Sequence, residues 1–315
     1  MISVTEPISQ SIQWTQKMLF RPFSVGKWCV LGFCAFLAGL AEGGANYRFN
    51  GNPFTPGRDP DSKVFQEIGA WISAHLPLVI GIGLAILVLV LALSLVLLWL
   101  SSRGHFMFLD GVIHDRAEVV APWKRFRALG NSLFVFRLVV GFGGLAALLL
   151  IGLLGWLIAR PDIAARQFGA AALTAVLLGG ALLLITVLVL AVAGLLVRDF
   201  VVPIMYRRGL RATEAFGVLW KEILPGHGWT FVLFYLMKFV LGLATVVLIL
   251  LGTCLTCCIA GLPYISSVVF LPVFVFFRAY SLYFIEQFGE EWHLIGTAEE
   301  FGSPDEHSPT ATAAT

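Results

Sequence analysis

The stretch A-A-A-L-T-A-V-L-L-G-G-A-L-L-L-I-T-V-L-V-L-A-V-A-G-L-L-V-R-D-F-V-V-P-I-M-Y-R-R-G, Ala170 to Gly209, decides the class of this chain. Twenty-eight residues, Ala170 to Val197, pass without a charge. An Arg198–Asp199 pair follows, then a short apolar patch around Pro203, then Arg207 and Arg208. A hydrocarbon core about 30 Å thick needs about 20 apolar residues to cross it, at about 1.5 Å per residue. As one straight helix, Ala170 to Tyr206 would run about 55 Å, well past that core. Arg198 and Asp199 are therefore expected at the inner membrane surface. V-V-P-I-M-Y is expected to bend at Pro203 and stay in the interface as an apolar foot, with Arg207 and Arg208 on headgroups.

The rest of the chain has the same character. Hydrophobic residues make up 58% and charged residues 13%, with a mean hydropathy of +0.88, which excludes a soluble globular domain. Leu76–Leu100, Leu138–Ala159 and Ile259–Phe277 carry no charge, and Trp229–Leu251 carries only Lys238. A shorter run, Trp28–Ala41, is extended by Val25 and Gly26, and Lys27 can snorkel to the headgroups. These are unbroken apolar blocks, not the alternating strands of a barrel, and backbone groups in lipid must bond within their own segment. The expected fold is an all-α integral membrane protein. It has about six transmembrane helices, near 25–41, 76–100, 138–159, 170–197, 229–251 and 259–277, with amphipathic cytoplasmic elbow helices at 101–137 and 198–228.

Sixteen of the 21 Lys and Arg residues fall on one side of this plan, which places both termini and both elbows in the cytoplasm. Residues 1–24 form a cytoplasmic lead-in, in which Ile8–Phe20 reads either as a short amphipathic helix in the headgroup layer or as a plain approach to the first span. The first twenty residues hold no apolar core of signal-peptide type, so the first span is expected to serve as the targeting signal. The outer loop 42–75 opens with turn residues. It then offers Val64, Phe65, Ile68, Trp71 and Ile72 at helical spacing, an expected interfacial anchor. Residues 289–315 are acidic and rich in Ser, Thr, Pro and Ala, an expected disordered tail.

The two elbows resemble each other. Each has an arginine at the helix end (Arg103, Arg198) and an apolar patch (Phe106–Leu109, Phe200–Tyr206). Each then has R-A, a glutamate (Glu118, Glu214) and a W-K pair, Trp123-Lys124 and Trp220-Lys221. The shared order points to an internal span–elbow–span repeat, against the plainer reading that cytoplasmic loops are basic and Trp favours interfaces. A weaker third copy is R-P-F-S-V-G-K-W, Arg21–Trp28. On this reading Arg103, Arg116, Lys124, Arg125, Arg127, Arg198, Arg207, Arg208, Arg211 and Lys221 face anionic headgroups of the inner leaflet, at about 1 kcal/mol per basic residue. No nucleic-acid partner is expected; a protein partner or a second copy of the chain stays open.

Chemistry is sparse. C-L-T-C-C, Cys254–Cys258, has a zinc-like spacing, but it is one pair between two spans and reads as small residues in a tight turn, with a disulfide as the alternative. Arg137, Lys238 and Arg278 are intramembrane suspects. Arg137 and Arg278 lie near helix ends and can snorkel, while Lys238 is expected to pair with Asp199 or Glu286 at an inner mouth. The six histidines show no metalloprotease spacing, and no phosphate-loop or serine-hydrolase motif occurs. G-F-G-G, Gly141–Gly144, reads as close helix packing. No catalytic residue, metal or cofactor is expected.

L-F-R-P-F-S-V-G-K-W-C-V-L-G-F-C-A-F-L-A, S-R-G-H-F-M-F-L-D and R-D-F-V-V-P-I-M-Y together resemble an uncharacterised family of bacterial multi-pass membrane proteins, catalogued as a domain of unknown function. The resemblance covers most of Lys17–Phe288 and implies a bacterial inner-membrane location; it carries over no catalytic residues. More distantly, the span–elbow–span plan is similar to the membrane domain of some glycerophosphodiester phosphodiesterases, whose soluble catalytic domain is absent here. The expected role is non-enzymatic, organising lipid or a partner through the elbows. The alternative is a small-solute transporter or channel between the repeats, using Lys238 and Asp199.

Overall fold

A computed structural model describes residues 2–41, 74–165, 167–255 and 262–295. Every regular element among them is a helix. We label them α1 (Glu6–Phe20), α2 (Val25–Gly39), α3 (Leu76–His114), α4 (Val120–Arg125), α5 (Arg127–Ala164), α6 (Ala170–Leu196), α7 (Val202–Arg208), α8 (Ala212–Val218), α9 (Gly228–Leu255), α10 (Pro263–Val269) and α11 (Leu271–Glu286). The outer-loop stripe, Cys257 and Cys258, and the tail beyond residue 295 lie outside the described residues.

Four helical stretches are long and apolar enough to cross a membrane: Leu76–His114, Arg127–Ala164, Ala170–Arg208 and Gly228–Cys254. Their apolar stretches are almost entirely exposed on the protein, as suits side chains that meet acyl chains. The described chain is therefore a helical protein with four candidate spans, and two of the six expected segments take other forms. α2 is 15 residues long, about 22 Å, shorter than the hydrocarbon core. It runs antiparallel to the lower part of α3, from the Lys27–Asp115 ion pair (2.6 Å) to the Ser101 hydroxyl donating to Ala38 O (2.7 Å). It thus flanks residues 101–115 and not the apolar Leu76–Leu100. The described part of the segment expected at 259–277 is broken at Phe270 into α10 and α11. Pro272 restarts the helix, and its buried part extends on to Ile285.

The core sits where the basic ends of the long helices converge. Phe200 meets Phe231, Phe234 and Phe284, and Phe234 stacks on Phe284 (4.3 Å) and Tyr280 (5.0 Å). The expected elbows supply much of this core. Ser101 to Ile113 are all buried in the continuing α3, and Phe200 to Met205 are buried too. Neither patch is open at the protein surface, because each is the end of a long helix with protein packed around it. Pro203 likewise does not turn the chain aside. A π-helical turn, Val197–Val201, absorbs the missing N–H, and the helix continues as α7. Gly209 (φ +66°) then ends it in the left-handed region that glycine adopts without strain.

α1 docks on α11 through Pro7, Ser11, Thr15, Met18 and Leu19, with Ile12 and Phe20 exposed. Ser11 and Thr15 donate to the carbonyls four residues back (2.5 and 2.7 Å), so their hydroxyls are satisfied on a buried face. α5 and α6 pair as a hairpin. Gly144 abuts Leu190, and the Asp162 carboxylate accepts the Ala172 N–H (2.7 Å) at the start of α6. Gly141 and Gly143 of the expected packing motif face open space.

α2 comes so close to α3 at Gly104 that a Cβ there would lie 2.5 Å from Ala38 N. Gly104→Ala is expected to destabilise the detergent-solubilised chain by about 1–3 kcal/mol, read as a lower thermal midpoint. Gly141→Ala, whose Cβ meets nothing within 4 Å, should not lower it. Equal midpoints for the two variants would show that α2 does not dock here.

Candidate functional site

Below the apolar half of the bundle, polar side chains from five helices converge. The π turn starts the arrangement. Val202 N–H goes to Val197 O, five residues back, and Pro203 has no N–H. Neither donor that a helix would offer the Arg198 carbonyl therefore arrives. Arg278 of α11 supplies one instead, its Nη1 donating to Arg198 O at 2.7 Å. The Arg278 residue is 7% exposed.

Asp199 lies at the centre, 2% exposed. Lys238 Nζ of α9 is 2.7 Å from its Oδ1, Arg198 Nε is 3.7 Å away, and the Ser281 hydroxyl of α11 donates to it at 3.5 Å. Lys238 also donates to Ser281 Oγ (3.3 Å) and rests near the Phe234 and Phe277 rings. Asp199 Oδ2 and the Tyr235 hydroxyl are buried near each other without a hydrogen bond of full geometry. His105 of α3 stands between two guanidinium groups. Its Nε2 is 3.0 Å from Arg137 Nη2 and its Nδ1 3.3 Å from Arg278 Nη2. Arg137 further donates to Ser101 Oγ (3.4 Å).

A cavity of about 260 Å³ opens beside this cluster, walled by His105, Phe108, Arg198, Asp199 and Arg278 at one end and by Gly242, Thr245, Val246 and Ile249 of α9 along its side. A wider groove of about 560 Å³ lies across Arg198, between α5 and α6, with Arg137 on its wall. Cations dominate the polar end of both.

The other residues marked out by the sequence are placed differently. Arg103, expected at headgroups, is 7% exposed. It is stacked between Trp99 (4.2 Å) and Trp123 (4.7 Å) and donates to Asn131 (3.1 Å); the W-K tryptophan holds it inside the protein. Arg208 bridges Glu222 (2.9 Å) and Glu291 (3.0 Å) over the Trp292 ring, and half-buried Arg207 donates to Glu291 O (2.9 Å). Both arginines thus fasten the segment after α11. Arg116, Lys124, Arg125, Arg127, Arg211 and Lys221 are exposed. Glu286 pairs with His293, not with Lys238. Burial pushes its carboxyl above the usual carboxylate range, and His293 opposes that shift.

A second knot joins α3 to α7, where the Tyr206 hydroxyl donates to Asp110 Oδ1 (2.6 Å) and His114 lies 3.4 Å from the same oxygen. Sequence alone links His105 to nothing and leaves Arg137 and Arg278 to snorkel. The available signal was S-S-R-G-H, a run of polar residues that falls inside a helix and not after one.

The model of a family of unknown function (DUF7544) matches residues 2–267. The chain belongs to this family. No curated protein and no solved structure matches it, and none of these comparisons bears on the likeness in plan to glycerophosphodiester phosphodiesterases. The DUF7544 match takes in His105, Arg137, Arg198, Asp199 and Lys238, and stops short of Arg278 and Ser281.

Removing one partner of a buried ion pair strands the other, at about 3–5 kcal/mol. Lys238→Met is expected to lower the thermal midpoint sharply, and Asp199→Asn added to it should recover much of the loss. A Lys238→Met protein as stable as the parent would remove the pair from the structural account.

Proposed function

We propose that this DUF7544 protein is a non-enzymatic, multi-pass protein of a bacterial inner membrane that gathers anionic lipid at the cytoplasmic leaflet. One observation carries the reading: most exposed basic side chains lie at one end of the long helices, opposite their exposed apolar stretches, with Arg160 at the far end of α5 as the exception. Arg116, Lys124, Arg125 and Arg127 ring the α3–α5 connection, and Arg211 and Lys221 the α7–α9 connection. The two rims adjoin, since Ala212 N–H donates to Ser132 Oγ of α5 (3.0 Å) and Phe216 packs on Phe136 (5.9 Å). The headgroup role thus falls to these residues and not to Arg103.

The placement of both termini inside, as a six-crossing plan requires, is supported by which ends meet, although α2 is itself shorter than the hydrocarbon core. α2 starts beside the basic end of α3 at Asp115, whereas α3 starts at the opposite end. α9 leaves the basic end, and α11 returns to it at Lys238–Ser281 and Arg278–Arg198. The internal repeat is supported by two stretches of 39 residues, Leu76–His114 and Ala170–Arg208. Each ends at a left-handed residue, Asp115 or Gly209, followed by a short helix and another span. A transporter would draw on the same cavity, but Lys238 and Asp199 hold each other, and lipid is the reading carried forward.

Each basic residue near an anionic surface contributes about 1 kcal/mol. Phosphatidylglycerol is therefore expected to raise the thermal midpoint of the delipidated full chain more than phosphatidylcholine does. The combined variant Lys124→Ala, Arg125→Ala, Arg127→Ala, Arg211→Ala should lose most of that difference. Equal stabilisation of the parent protein by the two lipids would sink the proposal.

A further inference from the structure

The segment after α11 already shows how an acidic stretch fastens to the basic end of this protein. Glu291 takes the Arg208 guanidinium at 3.0 Å, its carbonyl accepts from Arg207 at 2.9 Å, and Trp292 lies against Arg208. Trp292, Leu294 and Ile295 are buried, so the chain is anchored up to Ile295. Beyond it the sequence reads G-T-A-E-E-F-G-S-P-D-E-H, Gly296–His307. This stretch carries four carboxylates (Glu299, Glu300, Asp305, Glu306), no Lys or Arg, and one aromatic residue, Phe301.

The anchor stands inside the basic rim. Arg208 also holds Glu222, whose neighbour Lys221 is exposed, and Arg211 follows Arg208 by three residues. Arg116 and Arg125 act electrostatically on the Tyr206 hydroxyl, which brings the α3–α4 connection close to the same helix, α7. Among the described residues, Arg116, Lys124, Arg125, Arg127, Arg211 and Lys221 form no ion pair, and Glu214 beside them is engaged by the Arg211 N–H (3.0 Å). Glu299 and Glu300 follow Glu291 by eight and nine residues, a reach of up to about 30 Å at about 3.3–3.6 Å per residue. Lys221 and Arg211 flank the anchor itself, so both fall within that reach. Trp220, next to Lys221, is 59% exposed and offers an aromatic face to Phe301. The covalent tether makes the encounter intramolecular, at an effective concentration in the millimolar range for a short tether. Individually weak surface pairs are then enough to hold the segment.

We propose that residues 299–306 dock on the rim at Arg211, Trp220 and Lys221, with Phe301 against Trp220, and compete there with anionic lipid. The competition rests on the lipid reading above; the docking rests on charge, reach and the anchor at Glu291. Carboxylates and lipid phosphates draw on the same cations, so an anionic leaflet displaces the segment and a neutral one leaves it in place. The tether favours this segment over the same residues of a second copy.

The test is zero-length carbodiimide cross-linking of the delipidated full chain, with the linked residues mapped by mass spectrometry. A link from Lys221 to Glu299 or Glu300 is expected. Added phosphatidylglycerol should reduce it severalfold, and phosphatidylcholine should not. The combined variant Glu299→Gln, Glu300→Gln, Asp305→Asn, Glu306→Gln should bind phosphatidylglycerol about tenfold more tightly than the parent. No link to Lys221, in a chain that phosphatidylglycerol still stabilises, would overturn the docking and leave the lipid reading intact. A link that persists undiminished while phosphatidylglycerol binds, or an unchanged lipid affinity in the combined variant, would overturn the competition. Links that join light and heavy copies in an isotopically mixed sample would give the rim to a second copy and overturn the intramolecular site. Equal stabilisation of the parent by both lipids, with the Lys221 link present, would support the docking and sink the lipid reading together with the competition.

Discussion

Pro203 has no N–H to give, and the helix it interrupts has to deliver Asp199 to the interior of the protein. In a medium without water a freed backbone carbonyl must find a donor within the protein. The chain meets that demand twice over: the π turn shifts the Val202 bond to Val197, and Arg278 crosses from α11 to the Arg198 carbonyl. That contact fixes α11 against α6. It also sets Ser281 beside Asp199 and Lys238, and brings Arg278 to His105. One missing hydrogen bond thus organises the junction of four helices.

The same junction separates two environments. Toward one end, the described long helices show exposed apolar faces, and protein packing there is slight apart from the α5–α6 hairpin. Toward the other, the helices are sheathed by α1, α2, α10 and α11 around an aromatic cluster centred on Phe200 and Phe234. Ion pairs and stacked arginines close this half: Arg103 between two tryptophans, Arg208 between two glutamates, Lys27 on Asp115. Much of the basic charge at this end of the helices is therefore also structural pairing. The exposed basic charge at this end is carried by the end of α1, Arg116, α4, the start of α5 and the flanks of α8.

The sequence made several of these elements legible and concealed others for definable reasons. Length and apolarity marked Leu76–Leu100, Ala170–Val197 and Trp229–Leu251 because spanning is a local property: each segment must satisfy its own backbone and meet lipid on its own faces. The Asp199–Lys238 contact was one of two pairings open to Lys238, and the His293 ring decided the other by occupying Glu286. The burial of the two elbow patches is hidden in the sequence because an apolar patch flanked by arginines looks the same whether it dips into headgroups or enters a core. Phe106–Leu109 and Phe200–Tyr206 differ from interfacial segments only in having α2, α9 and α11 around them. His105 and Arg278, 173 positions apart, carry no signal in either neighbourhood that they meet.

By itself, then, the sequence determined that this is a helical membrane protein, where its long apolar helices run and which of their ends is basic. Hydropathy, helix rise and charge asymmetry act over one segment at a time, so no knowledge of neighbours was needed. Only the tertiary structure decided that the basic ends continue as helices into a packed core, that α2 flanks α3 below its apolar stretch, and that Arg137, His105, Arg198, Asp199, Lys238 and Arg278 share one site. Those outcomes depend on the desolvation and mutual pairing of charges brought together from distant segments, and a charge's partner is set by the fold and not by its place in the chain.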